Sequence, residues 1–228
     1  MAALHLIGGE KGGVGKSVLA RILAQYCIDH ALPFTGFDTD RSHATFRRFY
    51  GEYAAEALID DPSSLDALGE AVVAEPGRRV LVDLAAQTMA PLSRWMEDVG
   101  LFEVLAEAQV PVTWWQVMDD GRDSLAMLDR LLRTHGGRVS YVIVLNHGRG
   151  SDFSAFHASP AKQLALENRG TVIELRKLHE PAMHQLDLSD ASFWAAVNAR
   201  GDGALGLFDR QRVKVWLNKT YADLAGLI

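Results

Sequence analysis

A single cysteine in 228 residues leaves two routes to stability closed. Cys27 alone can form no disulfide within the chain and no cysteine-based metal site, and on its apolar stretch it reads as a buried helix residue. No apolar run reaches the ~18 residues that crossing a bilayer requires, and no basic start leads into a long apolar segment. A cytoplasmic protein without membrane insertion is the expectation. Positive charge is also in deficit: 23 Lys and Arg stand against 29 Asp and Glu, a formal net charge of −6. That argues against broad coating by nucleic acid and leaves room only for a local basic patch. The eight histidines are scattered without ligand spacing, and Pro181 breaks any common helical face for His179 and His184.

What is present is apolar enough, at 48%, to bury a sizeable core, and it alternates between strand and helix patterns. Ala3 to Ile7 is a short apolar run ending at Gly8-Gly9, which reads as a buried strand. Lys16 to about Ala31 places Leu19, Ile22, Leu23, Tyr26 and Cys27 at helical spacing, with Pro33 beyond the end. Phe34 to Asp38 is a second strand, Asp60 to Glu75 a helix stopped by Pro76-Gly77, and Arg79 to Asp83 a third strand. Val110 to Val117 is a fourth, in which the pair Trp114-Trp115 predicts core packing with one exposed ring. Ser124 to His135 is a helix with Leu125, Leu128, Leu131 and Leu132 inward; Val139 to Leu145 and Thr171 to Leu175 are the last strands. Phe153 to Asn168 has no pattern that fixes a boundary. The whole predicts one domain over residues 1–228, an α/β doubly wound, mainly parallel sheet with helices on both faces.

Between the first strand and the first helix lies Glu10-Lys11-Gly12-Gly13-Val14-Gly15-Lys16-Ser17. Glycines let backbone N–H groups turn inward on a phosphate, and the following helix adds the positive end of its dipole. Lys16 then supplies a point charge to the β and γ phosphates, and the Ser17 hydroxyl can ligate Mg²⁺. Glu10 stands where the general phosphate-loop pattern has its first glycine. ATP with Mg²⁺ is the predicted ligand, held by Gly12, Gly13, Val14, Gly15, Lys16 and Ser17.

Other polar residues end the predicted strands. Asp38 and Asp40, two apart at the close of the second strand, are expected to point to one side of the crevice, where such a pair can hold the Mg²⁺ hydration shell and orient a water. Asp83 ends the third strand, and Asn146 follows the fifth. An amide there offers both donor and acceptor to an adenine edge, although a turn asparagine before Gly148 is the competing reading. Arg210 to Lys219 is basic and amphipathic. Its plainer reading is a terminal helix packed on the sheet through Val213, Trp216 and Leu217; the other is a weak DNA contact.

The string Lys-Gly-Gly-Val-Gly-Lys-Ser resembles the deviant Walker A motif of the ParA/MinD group of P-loop ATPases. That resemblance makes Lys11 the signature lysine, which in the group reaches the partner's phosphates across an ATP-dependent homodimer, and makes Lys11, Lys16 and Asp40 the catalytic set. Asp40 would position the attacking water, and Asp83 would end a Walker B strand and reach Mg²⁺ through water, with Asp38 and Ser17 beside it. Where the group often continues with Pro and Gln after the second aspartate, this chain has Arg41 and Ser42. A nitrogenase-like electron carrier needs two cysteines per subunit and is excluded. Residues 34–43, 83–88, 117–121 and 209–216, with Asn198, look like the TraL-type ATPases of plasmid conjugal-transfer and mobilisation regions. The resemblance implies a slowly hydrolysing, dimerising switch working beside a relaxase or another transfer-complex protein. A partition ATPase that binds nonspecific DNA, and a nucleotide-gated scaffold that does not hydrolyse, are the alternatives.

Overall fold

Every strand pairing is parallel, so each strand end on one edge of the sheet is a carboxyl end. The computed structural model describes residues 2–228. In chain order its elements are β1 (Ala3–Gly8), α1 (Lys16–Asp29), β2 (Phe34–Asp38), α2 (Thr45–Phe49), β3 (Ala54–Glu56), α3 (Pro62–Ala74), β4 (Arg79–Asp83), α4 (Met89–Asp98) and α5 (Leu101–Glu107). Then come β5 (Val112–Met118), α6 (Arg122–His135), β6 (Ser140–Asn146), α7 (Ser154–His157), α8 (Pro160–Glu167), β7 (Thr171–Leu175), α9 (Glu180–Leu188), α10 (Phe193–Asn198) and α11 (Leu207–Leu224). The strand order is β3-β2-β4-β1-β5-β6-β7.

Two apolar layers sandwich the sheet. One packs α3 to α6 and α8 against Leu4, Leu6, Val80, Val82, Trp114 and Ile143. The other packs α1, α2 and α9 to α11 against Ile7, Leu81, Trp115, Val142 and Val144. Alternation along each strand sends neighbours to opposite layers, which is why both faces are apolar and the strands read as continuous runs. Trp114 and Trp115 follow this rule. Both are buried, at 2% and 0% exposure, so the expectation of one exposed ring is corrected: a sheet covered on both sides has no wet face at its centre.

Asp61 caps α3 by accepting from Ser63 N, with Pro62 at the first helical position, so the helix starts just after the expected Asp60. The fourth strand starts two residues later than expected, after Pro111, and ends one later. The stretch without readable boundaries, 153–168, holds two short helices. Ser159 caps the second by accepting from Lys162 N. The edge strand β3 and the helices α2, α4, α5, α9 and α10 were not anticipated; all five helices are ten residues or shorter. Among the described residues no helix is long and apolar enough to cross a membrane.

Candidate functional site: a phosphate loop ringed by strand ends

β1 is central, and its end opens directly into the glycine-rich loop, which closes on the first turn of α1. Gly15 is the residue before that helix, with φ of +106°, a left-handed conformation that a side chain resists. Space forbids one as well, because a Cβ there would stand 2.2 Å from Asn146 Nδ2. Lys16 is buried and folds back over the loop, its ammonium donating to Gly9 O at 2.8 Å and Lys11 O at 3.1 Å. Burial pulls its pKa below the ordinary lysine value against the opposing attraction of Asp83, Glu10 and Asp40. A buried ammonium held only by carbonyls, at the positive end of a helix, is a place prepared for anionic oxygen.

The register sets carboxylates around it. Asp38 pairs with Asp83 across β2 and β4, and Asp83 with Ile7 of β1. Asp83 is almost fully buried, and neither of its oxygens has a hydrogen-bond partner. Burial drives its pKa up to about 7; the Ser17 hydroxyl and the Lys16 ammonium oppose that rise, while Asp38 adds to it. An orphaned carboxylate beside a lysine and a serine lacks positive charge, which is the deficit a hydrated Mg²⁺ on phosphate oxygens would fill. Ser17 and Asp83 therefore fit such an ion. Among the described residues no three His, Cys, Asp or Glu side chains form a metal-binding group of their own.

The pair Asp38 and Asp40 is arranged differently from two strand residues facing one way, because β2 stops at Asp38. Asp38 is buried, and its two oxygens accept from Asp40 N and Arg47 N, each at 3.0 Å. Burial raises its pKa in spite of those bonds. Asp40 lies beyond the strand on the crevice rim. Its Oδ1 accepts from Ser42 N and His43 N at 2.9 and 3.1 Å, and its Oδ2 meets His43 Nδ1 at 3.3 Å. Partial burial would raise the Asp40 carboxyl, but the donors of His43 and Ser42 outweigh it and hold it low. The Arg41-Ser42-His43 departure from the usual pattern thus wraps Asp40 in its own loop.

Asn146 lies under the loop. Its Nδ2 donates to Val14 O at 2.7 Å and its Oδ1 accepts from Gly148 N at 2.9 Å. It joins the phosphate loop to the turn after β6, and keeps one N–H and one lone pair. Beyond it opens a cleft of about 760 Å³ with Val18, Leu175, Leu178 and Pro181 among its lining, apolar enough for a nucleobase.

Three contacts carried no clear signal in the sequence. Glu10 Oε1 accepts from Met89 N at 2.7 Å, tying the loop to the start of α4. Thr39 Oγ1 donates to Asp83 O and accepts from Ala85 N, joining the ends of β2 and β4. Lys11 forms an ion pair at 2.5 Å with Asp119, the residue following β5. The usable signal for Asp119 was its place: a carboxylate just past a strand that the βα alternation sets beside β1. The basic C-terminal segment packs as α11, burying Val213, Trp216 and Leu217, while Arg212 pairs with Asp209 and Arg210 turns to Ala199 O.

The fold recurs in solved proteins. MinD of Aquifex aeolicus superposes with a TM-score of 0.55 at 12% identity, over 97% of both chains. MinD of Pyrococcus horikoshii, solved with Mg-ADP, gives 0.54 at 16%, over 100% of this chain and 98% of that one. A nucleotide-binding protein of Archaeoglobus fulgidus in complex with ADP gives 0.54 at 15%, over 89% and 90%. The chain shares its parallel, helix-covered sheet with these solved proteins. No protein-family model matches it. It is similar to protein TraL of Escherichia coli, 26% identical over 94% of each chain, and to protein MobD of Acidithiobacillus ferrooxidans, 26% identical over 99% of this chain and 98% of MobD.

Proposed function

We propose that this chain is an ATP-binding, slowly hydrolysing ATPase that dimerises on Mg·ATP and serves as a switch in plasmid conjugal transfer or mobilisation. The observation that carries the nucleotide part is the buried Lys16 ammonium on loop carbonyls next to the partnerless carboxylate of Asp83. Each is costly without a ligand of opposite charge. The amides of Gly12 to Gly15 and the Lys16 ammonium would hold the phosphate oxygens. Ser17 and Asp83 would hold Mg²⁺, with Asp38 fixing the rim from behind; the ion supplies charge neutralisation on the phosphates. Asp40 would orient the water that attacks the γ-phosphorus and displaces ADP, once it is drawn away from Ser42 and His43. Asn146 fixes the loop and offers its remaining donor to the base. Lys11 contributes across the dimer, where a second cation completes charge stabilisation only when two subunits meet.

The transfer role is supported by the full-length likeness to TraL and MobD. On that reading a relaxase or another transfer-complex protein is the partner. Calorimetry with Mg·ATP and sedimentation of the loaded protein are the test. Wild type should bind and dimerise, and Lys11→Ala should bind with nearly the same affinity and remain monomeric. No affinity for Mg·ATP in a folded sample would end the proposal. Phosphate release at background, with or without transfer proteins, would leave only a gated scaffold.

A further inference from the structure

Lys11 is the one member of the phosphate loop that forms an ion pair among the described residues, and its partner belongs to its own subunit. The two oxygens of Asp119 have separate tasks. Oδ2 takes the Lys11 ammonium, while Oδ1 accepts from Ser124 Oγ at 2.6 Å and Gly121 N at 3.1 Å at the start of α6. Burial would raise the Asp119 carboxyl, but Lys11 and Ser124 outweigh it, so the group stays ionised. Gly121 keeps the space open: a Cβ there would lie 3.3 Å from Lys11 Nζ and 3.0 Å from Asp119 Oδ1. The lysine side chain is 43% exposed and that of the aspartate 12%. This is an ammonium parked on a fixed carboxylate at the rim, within reach of solvent.

An ammonium makes the same charge-assisted bond to a carboxylate or a phosphate oxygen, so the two anions compete for it. A half-exposed pair is weak, which allows the exchange, yet every subunit that keeps it has its lysine withheld. We propose that Asp119 is a positioning residue that stores Lys11 on its own subunit, and that ATP-driven dimerisation exchanges this carboxylate for a phosphate oxygen of the partner's nucleotide. The inference rests on the reading that Lys11 acts across the dimer. Asp119 then sets the nucleotide concentration at which dimers form, because the competent state is the fraction with Lys11 released.

Titrating the full chain with Mg·ATP, and with a non-hydrolysable Mg·ATP analogue, while following dimerisation by sedimentation provides the test. Asp119→Asn keeps an acceptor for Ser124 and Gly121 but loses the charge. It should lower the half-maximal nucleotide concentration about 3- to 10-fold, by enlarging the competent fraction. Asp119→Glu should return it towards wild type. Ser124→Ala, which strips only the helix-start contact, should leave the threshold in place. Gly121→Ala, whose Cβ would press on the ammonium and on Asp119 Oδ1 by a few tenths of an ångström, should shift the threshold in the same direction as Asp119→Asn and carries the test if the latter fails to fold. The Asp119→Asn effect must vanish in a Lys11→Ala background. An unchanged or raised threshold in Asp119→Asn, with Lys11→Ala monomeric, overturns the inference alone. Lys11→Ala dimerising like wild type overturns the inference together with the function it rests on.

Discussion

At Gly15 the loop's conformation and its packing make the same demand. An alanine there would be held at φ of +106° and pressed within 2.2 Å of Asn146 Nδ2, displacing the bond from that amide to Val14 O. Phosphate release by Gly15→Ala should fall about 100-fold, the usual consequence of a misplacement near 1 Å, and a steady-state assay reads it. Asp83 presents the reverse case, a residue whose removal should help the empty fold. Its folded pKa, about 7, lies above the ordinary value of 3.8, so the folded state holds a proton there that the unfolded chain has lost. Stability from this group is therefore present at low pH, declines as pH rises from 3.8 to about 7, and stays low above. Asp83→Asn should stabilise the nucleotide-free protein at pH 8 by about 2–4 kcal/mol in urea unfolding and weaken Mg-dependent ATP binding. The phosphate loop was legible in the sequence because its glycines, lysine and serine are contiguous and their chemistry is local. Asp119, Glu10 and the structural bond of Asn146 were not, since their partners lie 108, 79 and 132 residues away.

Helix α11 shows how an element can be recognised while its task stays open. The packed terminal helix, its plainer reading, is what the structure shows, and its energetics lie on the side away from the basic face. Trp216 is buried against Phe193, and its indole N–H donates to Arg176 O at 2.7 Å, fastening the helix to the end of β7. Trp216→Ala would leave a cavity and an unpaired carbonyl together, and should cost about 3–5 kcal/mol by urea unfolding. A loss below 1 kcal/mol would mean that α11 is not anchored there. The long strands and helices were legible because one periodicity dominates each. The short helices α2, α4, α5, α9 and α10 were not, since a few turns of chain show too little pattern to separate a helix from a loop. The edge strand β3 is three residues long and owes its state to the pairing of Ala54–Glu56 with Gly36–Asp38. What hid these elements is that tertiary contact, not local propensity, creates them.

The sheet also buries one neutral histidine in each of its two layers, and this couples the whole molecule to acid. His5 accepts from Trp115 Nε1 at 3.2 Å, on the α1 side. His135 stacks on Trp114 at 5.1 Å between ring centres, on the α6 side, with Ser93 Oγ 3.1 Å from its Nε2. Burial pushes their pKa values down to about 3 and about 4, with Arg79 and Arg138 adding to it. Both folded values lie below the ordinary 6.5, so the unfolded chain binds these protons first as pH falls. The stability they contribute is complete above about 6.5 and is lost as pH drops through the folded values. Asp83 acts in the opposite sense between about 7 and 3.8, since there the folded state takes the proton. Two histidine protons gained on unfolding against one carboxyl proton lost leave about one, near 1.4 kcal/mol per pH unit, before the raised Asp38 is counted. A difference measurement removes that mixture. His135→Gln keeps a polar partner for Ser93 and does not titrate. The gap in unfolding free energy between wild type and this variant should therefore close by about 1.4 kcal/mol for each pH unit from 6.5 down to 4. Urea unfolding of both proteins across that range reads it directly, and a gap that stays constant would show that His135 takes up its proton without opening the sheet.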